Sequence, residues 1–337
     1  MRKLLNAGIG TLLMISMVAS SANQSAHAWL FSSKTKTGEK RGSFLSRLIR
    51  KHRTVSASQV GLVPGNPPAM YWKPTTTPRA AMLCLHEIGL HAGVFDDLGQ
   101  RMARQGIAVY AIDLRGFGGW TEVKDAEGRM NLDKTLADVK GSVENIHKLQ
   151  PGVPVFVLGE AMGGALALQA GATFPDLIQG VITAAPGGEH FDTTKGYINV
   201  ASHMVTGPHK DAGQSIRFME MGTPKPALRE AFQGDDLVRL DVNPKELMDC
   251  QFFMYKTRQF AKKIATTPVL VVHGDQDKMS RPEGSTKVFE NLATSDKQML
   301  KVEDGDHYTY EDVKVSDKAM DSTLAWIDQH LSKKQAQ

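Results

Sequence analysis

Cysteine is nearly absent from this sequence. Only Cys84 and Cys250 occur among 337 residues, which excludes the dense disulfide framework of small secreted domains. Cys84 falls within an apolar run and Cys250 lies far along the chain, so we expect two inert, buried thiols, with a disulfide between them as the less favoured alternative. Hydrophobic residues make up 41% of the chain and charged residues 23%. This balance excludes a disordered or fibrous chain and fits a large globular core with an inserted subdomain.

The apolar stretch near the N-terminus falls short of a membrane span. Residues 4–19 are mostly apolar but are interrupted by polar and small residues, and a spanning helix needs about 20 apolar residues. A basic pair precedes this stretch, and the small-residue site Ala26-His27-Ala28 follows it. The pattern predicts a signal peptide over residues 1–28 and export to the periplasm, the cell envelope or the medium. The alternative is a single uncleaved anchor helix.

Acidic residues are scarce in the segment that follows. Between Ser32 and Arg53 there is one acid, Glu39, against eight lysines and arginines. Four apolar residues between them are spaced to share one helical face: Phe44, Leu45, Leu48 and Ile49. We interpret residues 29–66 as a basic linker in which residues 41–53 either form an amphipathic helix on an anionic membrane surface or stay solvated. Basic residues elsewhere are interleaved with acids, so nucleic-acid binding is not expected.

Short apolar runs alternate with helical patterns through the rest of the chain. Uninterrupted apolar runs are typical of strands that a parallel sheet buries on both faces. The predicted strands are residues 80–85, 108–114, 153–158, 181–185, 269–273 and 299–302. Helical spacing of apolar residues predicts helices over 95–102, 132–146 and 320–331. The alternation predicts an α/β protein over residues 67–337, with a doubly wound, mostly parallel sheet and right-handed crossovers.

The alternation breaks between about residues 188 and 263. This span contains methionines, aromatic residues and a helical pattern over 247–262, and it is too long for a plain crossover. It predicts an inserted helical cap over the carboxyl ends of the strands, where open α/β sheets bind ligands. Its methionines would either line an apolar cavity or form the core of the cap.

Metal and dinucleotide sites are not supported. His86 and His91 flank a stretch similar to the zinc motif H-E-x-x-H, but the second histidine comes one residue too late and the segment ends a strand. The glycines at 116, 118 and 119 do not form G-x-G-x-x-G after a first strand. We therefore expect neither a metal nor a cofactor.

The most informative pattern is a strand, a sharp turn and a helix over residues 155–166. Gly159 and Gly163 stand two positions on either side of Ala161. Glycines at these places let the strand and the helix approach closely, and the turn presents its central side chain above the sheet. In a G-x-S-x-G elbow that side chain is a serine nucleophile. Here it is a methyl group, which cannot attack a substrate.

Five segments in the same order resemble a known family. They are Leu85–Gly93 (LHEIGLHAG), Tyr110–Gly118 (YAIDLRGFG), Gly159–Gly164 (GEAMGG), His273–Asp277 (HGDQD) and Gly305–His307 (GDH). Together they resemble the monoacylglycerol lipase and lysophospholipase branch of the α/β-hydrolases, also called the serine aminopeptidase type. The resemblance extends from about Pro67 to the C-terminal helix. It implies an α/β-hydrolase fold with a cap and an acyl-lipid or other apolar ligand.

The resemblance also implies a role for individual residues. Ala161 takes the nucleophile position, Asp277 is the acid with Asp275 as the alternative, and His307 is the base. The backbone amides of Ile88 and Met162 form the oxyanion hole, so their side chains do not matter for donation. The family's first loop reads His-Gly-x-Gly-x-His-Ser, and Glu87 replaces its first glycine. A carboxylate there would oppose an oxyanion by repulsion unless it points away.

The methyl group of Ala161 allows several interpretations. One is an active serine ester or lipid hydrolase that carries an inactivating Ser→Ala change. Another is a natural non-catalytic member that binds an acyl ligand or a protein partner. A third, which we favour least, has Glu160 or a water held by His307 act instead. We favour the natural non-catalytic member, and we expect Ala161→Ser to restore esterase activity unless Glu87 prevents it.

Overall fold

The computed structural model of the protein describes residues 57–60, 62, 69–123, 129–189, 220–239 and 241–335. All of them belong to one compact unit, residues 41–337. The predicted signal peptide and the basic segment 41–53 lie outside the described residues. The α/β-hydrolase fold is confirmed: the core is a mostly parallel eight-stranded sheet with helices on both faces.

The sheet begins with an antiparallel edge and continues in parallel. Its strands are β1 (Ala57–Val60), β2 (Ala69–Trp72), β3 (Ala80–Leu85), β4 (Ile107–Ile112), β5 (Val155–Glu160), β6 (Gly180–Ala184), β7 (Val269–Gly274) and β8 (Lys297–Val302). Their spatial order is β1-β2-β4-β3-β5-β6-β7-β8. Only the β1–β2 and β2–β4 pairs are antiparallel. The order reverses around β3, so the ends of β3 and β5 lie side by side, which is where doubly wound sheets bind ligands.

Eight α-helices lie within the described residues. They are α1 (Asp96–Arg104), α2 (Leu132–Leu149), α3 (Met162–Thr173), α4 (Pro226–Gln233), α5 (Pro244–Met254), α6 (Thr257–Ala261), α7 (Pro282–Asn291) and α8 (Asp317–Gln335). Helices α1 and α8 pack on one face of the sheet, and α2, α3 and α7 pack on the other. No described helix has the length and hydropathy required to cross a bilayer.

Apolar residues fill a layer on each face of the sheet. Every residue of the central strands β3, β4, β5 and β6 is buried, as the uninterrupted apolar runs predict. Trp72 anchors the antiparallel edge: its indole N–H donates to Asp96 Oδ1 at 3.0 Å, and a Cβ on Gly99 would lie 2.3 Å from its ring. Only a glycine in α1 leaves room for this ring. Cys84 and Cys250 are both free and buried.

The inserted cap is present between β6 and β7. Helices α4, α5 and α6 form its described part; residues 190–219 and 240 lie outside it. Pro244 starts α5, and Asn243 and Glu246 form a reciprocal capping box there, which satisfies free amides at the helix start. The helix predicted over 247–262 is divided in two, because α5 ends at Met254 and α6 begins at Thr257.

The antiparallel edge departs from the sequence prediction. Strand β1 lies within residues 29–66, which we assigned to a linker, and pairs with β2. Both strands have only four residues, and Ser58 and Gln59 give β1 a polar centre. Edge strands of this kind carry no continuous apolar run, so periodicity does not detect them.

Candidate active site

Ala161 lies at the turn between β5 and α3 in a backbone conformation that L-residues rarely adopt. Its φ is 46° and its ψ is −109°, outside the main allowed regions. Its amide donates to Ala184 O at 2.9 Å, and its carbonyl accepts from Ala165 N at 2.9 Å. Ala161 is 4% exposed. The turn thus keeps the strained geometry of a nucleophile elbow while presenting only a methyl group.

Two glycines make this sharp turn sterically possible. A Cβ on Gly159 would lie 2.1 Å from Gly163 O, and one on Gly163 would lie 1.9 Å from Leu85 O. Both distances are far below van der Waals contact. The helix start therefore presses against β3 and β5 so closely that no side chain fits, which is the reason for the glycine spacing around Ala161.

His307 and Asp277 form a buried pair at the ends of β8 and β7. His307 Nδ1 lies 2.8 Å from Asp277 Oδ2. The other oxygen, Asp277 Oδ1, accepts from the amides of Met279 and Ser280, each at 2.8 Å. Burial alone would raise the pKa of Asp277, but His307 and these donors hold it below its usual value. Asp275, the alternative acid, is exposed, so the geometry favours Asp277.

Glu87 faces the other nitrogen of His307. Its Oε2 and Oε1 lie 3.3 Å and 3.4 Å from His307 Nε2. In a serine hydrolase triad this nitrogen meets the nucleophile hydroxyl. Burial would lower the pKa of His307, but Asp277 and Glu87 together raise it well above its usual value. The two carboxyl groups therefore favour the imidazolium form of His307, and in that form the ring cannot accept a proton.

The loop that carries Glu87 is fixed from two sides. The Glu87 amide donates to Glu311 Oε1 at 2.8 Å. His86 Nε2 accepts from Leu114 N at 2.9 Å and its Nδ1 lies 2.7 Å from Glu87 O, so Nδ1 carries the proton. Burial lowers the pKa of His86 to about 4, which keeps this ring neutral. These contacts hold the Glu87 backbone in place and direct its side chain toward His307.

Glu160 does not act at the elbow but binds the loop after His307. Its carboxylate accepts from the amides of Thr309, Tyr310 and Glu311 at 2.6, 2.9 and 3.0 Å. Burial raises the pKa of Glu160 to about 8, although these three donors oppose the shift. Because its oxygens are engaged by backbone amides, Glu160 positions this loop and is not free to attack a substrate.

The predicted oxyanion amides belong to the two segments that meet at the elbow. Ile88 follows Glu87 in the loop after β3, and Met162 is the first residue of α3. Gly89, which follows Ile88, has a φ of 85°. Its carbonyl accepts a hydrogen bond from Arg239 N of the cap at 2.7 Å. Ile88 and Met162 remain predictions as oxyanion donors.

The cap contacts the loops around the site directly. His307 N donates to Gly222 O at 3.0 Å, and Tyr308 packs edge-on against Phe232, with ring centroids 5.2 Å apart. An apolar cluster joins the cap to these loops: Leu90, Leu228, Phe232, Val238 and Tyr308. His91 Nε2 also lies 3.0 Å from Asp235 Oδ2 of the cap. The described part of the cap therefore lies against the loops that follow the carboxyl ends of the strands.

The sequence places Glu87 where the family has a glycine but does not show where its side chain lies. It gives no sign of Glu311, whose contact with Glu87 joins residues 224 positions apart. No motif marks that glutamate, since it lies four residues beyond the histidine segment. Among the described residues, no group of three or more potential ligands is arranged to hold a metal ion.

Comparison with known proteins identifies the family. The family model described as serine aminopeptidase, S33, matches residues 76–314. The monoacylglycerol lipase of Mycolicibacterium smegmatis is 26% identical over 269 residues, covering 77% of this chain and 92% of that protein. The monoglyceride lipase of Rattus norvegicus is 26% identical over 272 residues, covering 78% and 86%. A soluble variant of the monoglyceride lipase of Saccharomyces cerevisiae, solved with a substrate analog, superposes with a TM-score of 0.66 at 19% identity, covering 84% and 96%.

Proposed function

This chain belongs to the serine aminopeptidase S33 family of α/β-hydrolases, and from that premise we propose that it is a non-catalytic member that binds an acyl lipid. The observation that carries the proposal is the contact of Glu87 with His307 Nε2 beside an elbow that presents Ala161. A hydrolase of this type needs a hydroxyl nucleophile and a neutral histidine. Here a methyl group replaces the hydroxyl, and Asp277 and Glu87 raise the pKa of the histidine, which favours its protonated form.

The chain departs from the family's pattern at two positions, Ala161 and Glu87. Two such differences favour natural loss of catalysis over a single inactivating change. A Ser→Ala change made to trap a substrate would alter the nucleophile alone and leave the base free. Glu87 takes the place of a glycine in the family's first loop and faces the base as well. The site therefore differs from an active serine hydrolase both at the group that would lose the proton and at the environment of the histidine that would accept it.

The ligand is proposed from the relatives and from the cap. Two relatives are named as monoacylglycerol or monoglyceride lipases, and the yeast structure contains a substrate analog. The cap and the neighbouring loops share a buried apolar cluster directly beside His307. An alkyl chain buried beneath the cap would contribute about 0.8 kcal/mol per methylene. An acyl lipid that is bound but not cleaved would be a cargo.

Localisation follows from the N-terminal pattern. Residues 1–28 would direct export and be removed, and residues 29–56 would then form a basic N-terminal segment. Within it, residues 41–53 would contact an anionic membrane surface. Export, membrane contact and acyl-lipid binding would together make the protein an exported carrier of acyl lipid at a membrane surface.

The test separates binding from turnover. The mature chain should neither hydrolyse monoacylglycerols above background nor react with a fluorophosphonate probe, which labels activated serines. It should bind monoacylglycerols of about 8 to 18 carbons with affinity rising with chain length, and each ligand should raise the melting temperature by mass action. Turnover that disappears in His307→Ala would contradict the loss of catalysis. Absence of binding at every chain length would contradict the lipid ligand.

A further inference from the structure

Glu87 changes the charge that the site presents to a ligand headgroup. Glu87 is 5% exposed, and its Oε2 accepts no hydrogen bond from any described residue. The nearest cation, His307, lies 3.3 Å from this oxygen and is shared with Asp277. A buried carboxylate oxygen with an unused acceptor position is unfavourable. A ligand group that donates a hydrogen bond there would satisfy it.

The charges around this oxygen sum to a negative value. Burial raises the pKa of both Glu160 and Glu311, so these two contribute least charge. Even with both neutral, the carboxylates of Glu87 and Asp277 outnumber the single imidazolium of His307. An anionic headgroup entering here would meet net repulsion in a water-poor site, where charges interact strongly.

Other cations of the site do not reverse this balance. Lys225 Nζ pairs with two buried carboxylates, Asp312 at 2.5 Å and Asp306 at 3.3 Å. His86 is neutral, since burial lowers its pKa to about 4. His91 is paired with Asp235 of the cap. The described neighbours of the elbow therefore offer a ligand more negative than positive charge.

We propose that Glu87 sets the headgroup specificity of this site, so that it accepts amphiphiles with a hydroxyl or ammonium headgroup and excludes fatty-acid carboxylates. This rests on the proposed function, because it assumes that the apolar part of the ligand binds beneath the cap. A family member with a glycine at this position would lack the carboxylate. The replacement thus exchanges a site that stabilises negative charge for one that stabilises donors and cations.

The experiment compares headgroups at constant chain length. Calorimetric titrations below micelle-forming concentrations would use dodecylammonium, 1-monolauroylglycerol and dodecanoate. The wild-type chain should bind dodecylammonium about tenfold or more tighter than dodecanoate, with the neutral lipid between them. In Glu87→Gln, which keeps the shape and removes the charge, this ratio should fall to near one. Glu87→Asp should preserve the preference.

A control variant at an exposed glutamate and a second variant at His307 accompany the Glu87 variants. Glu303→Gln removes an exposed carboxylate that pairs with Lys318 and contacts neither Glu87 nor His307 in any described hydrogen bond or ion pair, and it should leave the ratio unchanged. His307→Gln removes the cation and should increase the preference for dodecylammonium, which tests the proposal even if Glu87→Gln does not fold. Equal binding of dodecanoate by wild type, or a ratio unaffected by Glu87→Gln, overturns the headgroup proposal alone. Failure of all three ligands overturns the lipid pocket as well.

Discussion

At the scale of single residues, Glu87 and Ala161 affect the same chemical step. A serine becomes a nucleophile only when a neutral imidazole takes its proton. Ala161 removes the proton donor, and Asp277 together with Glu87, which contacts Nε2, raises the pKa of His307 and so favours its protonated form. This contact revises the expectation from the sequence that Ala161→Ser is sufficient to restore activity. Motifs locate Glu87, but only the folded chain shows that it faces a histidine 220 positions away.

The first residue-scale prediction concerns recovery of esterase activity. Ala161→Ser alone should remain close to background, because the new hydroxyl would meet a protonated base and a competing carboxylate. Ala161→Ser combined with Glu87→Gly should exceed the single variant by about a hundredfold, in the range of general-base catalysis. The measurement is hydrolysis of a short aryl ester. Adding His307→Ala should abolish the gain, and a single variant as active as the double would show that Glu87 does not inhibit the base.

The second residue-scale prediction concerns the protonation of His307. Its pKa in the folded chain lies above that of an unfolded histidine, about 6.5. The stability that it contributes is therefore complete below the unfolded pKa and is lost as pH rises through the folded pKa. At about pH 7.5, above the unfolded value, ¹⁵N shifts should show protons on both ring nitrogens in the wild type. In Glu87→Gln the ring should titrate at lower pH.

Stability measurements test the same prediction independently. The melting temperature of His307→Gln should lie below that of the wild type near neutral pH, because two buried carboxylates lose their cation. This difference should shrink as pH rises through the folded pKa of His307, where the wild-type ring also becomes neutral. A difference that grows with pH would mean that the ring is neutral in the folded chain.

At the scale of elements, the central sheet is predictable and its edge is not. Strand β3 occupies residues 80–85, as its apolar run predicts, because burial on both faces demands such a run. Strands β1 and β2 instead contain polar and half-exposed residues. Strand β2 pairs with the neighbouring strand β4, and the local sequence does not encode such a pairing.

The elbow supports an element-scale prediction about backbone strain. Ala161 has a φ of 46°, whereas Ala165 lies in the ordinary helical part of α3. Both side chains are buried, so Ala→Gly removes the same methyl group and adds similar backbone entropy to the unfolded chain. At Ala165 the change should cost about 1–2.5 kcal/mol. At Ala161 relief of about 1–3 kcal/mol of strain should cancel most of that cost.

Urea denaturation of the two glycine variants measures this strain. Both variants lose one buried methyl group and gain similar backbone entropy in the unfolded chain. The difference between their free energies of unfolding therefore measures the backbone strain at Ala161. Ala161→Gly is expected to be the more stable variant by about 1–3 kcal/mol. Equal losses would mean that the elbow is unstrained and that its geometry no longer records a catalytic turn.

At the scale of the whole molecule, the charge is unevenly distributed along the chain. Residues 32–53 carry eight cations and one acid, a surplus larger than the net charge of +4 of the entire sequence. The remainder is therefore net negative, in keeping with the carboxylates around the elbow. A basic segment attached to an acidic domain would bring the domain to an anionic membrane without making the ligand site itself attractive to anionic lipid.

The last prediction is that this basic segment becomes the N-terminus of an exported chain. Cleavage after Ala28 requires small residues at positions 26 and 28, and both are alanine. Expression of the full sequence in a bacterium should yield an exported protein that begins at Trp29, as determined by N-terminal sequencing and intact mass. Ala28→Asp should block processing and retain the full-length chain. If the unaltered chain stays full-length in the membrane fraction, residues 4–19 act as an uncleaved anchor, and the protein is a tethered carrier instead of a released one.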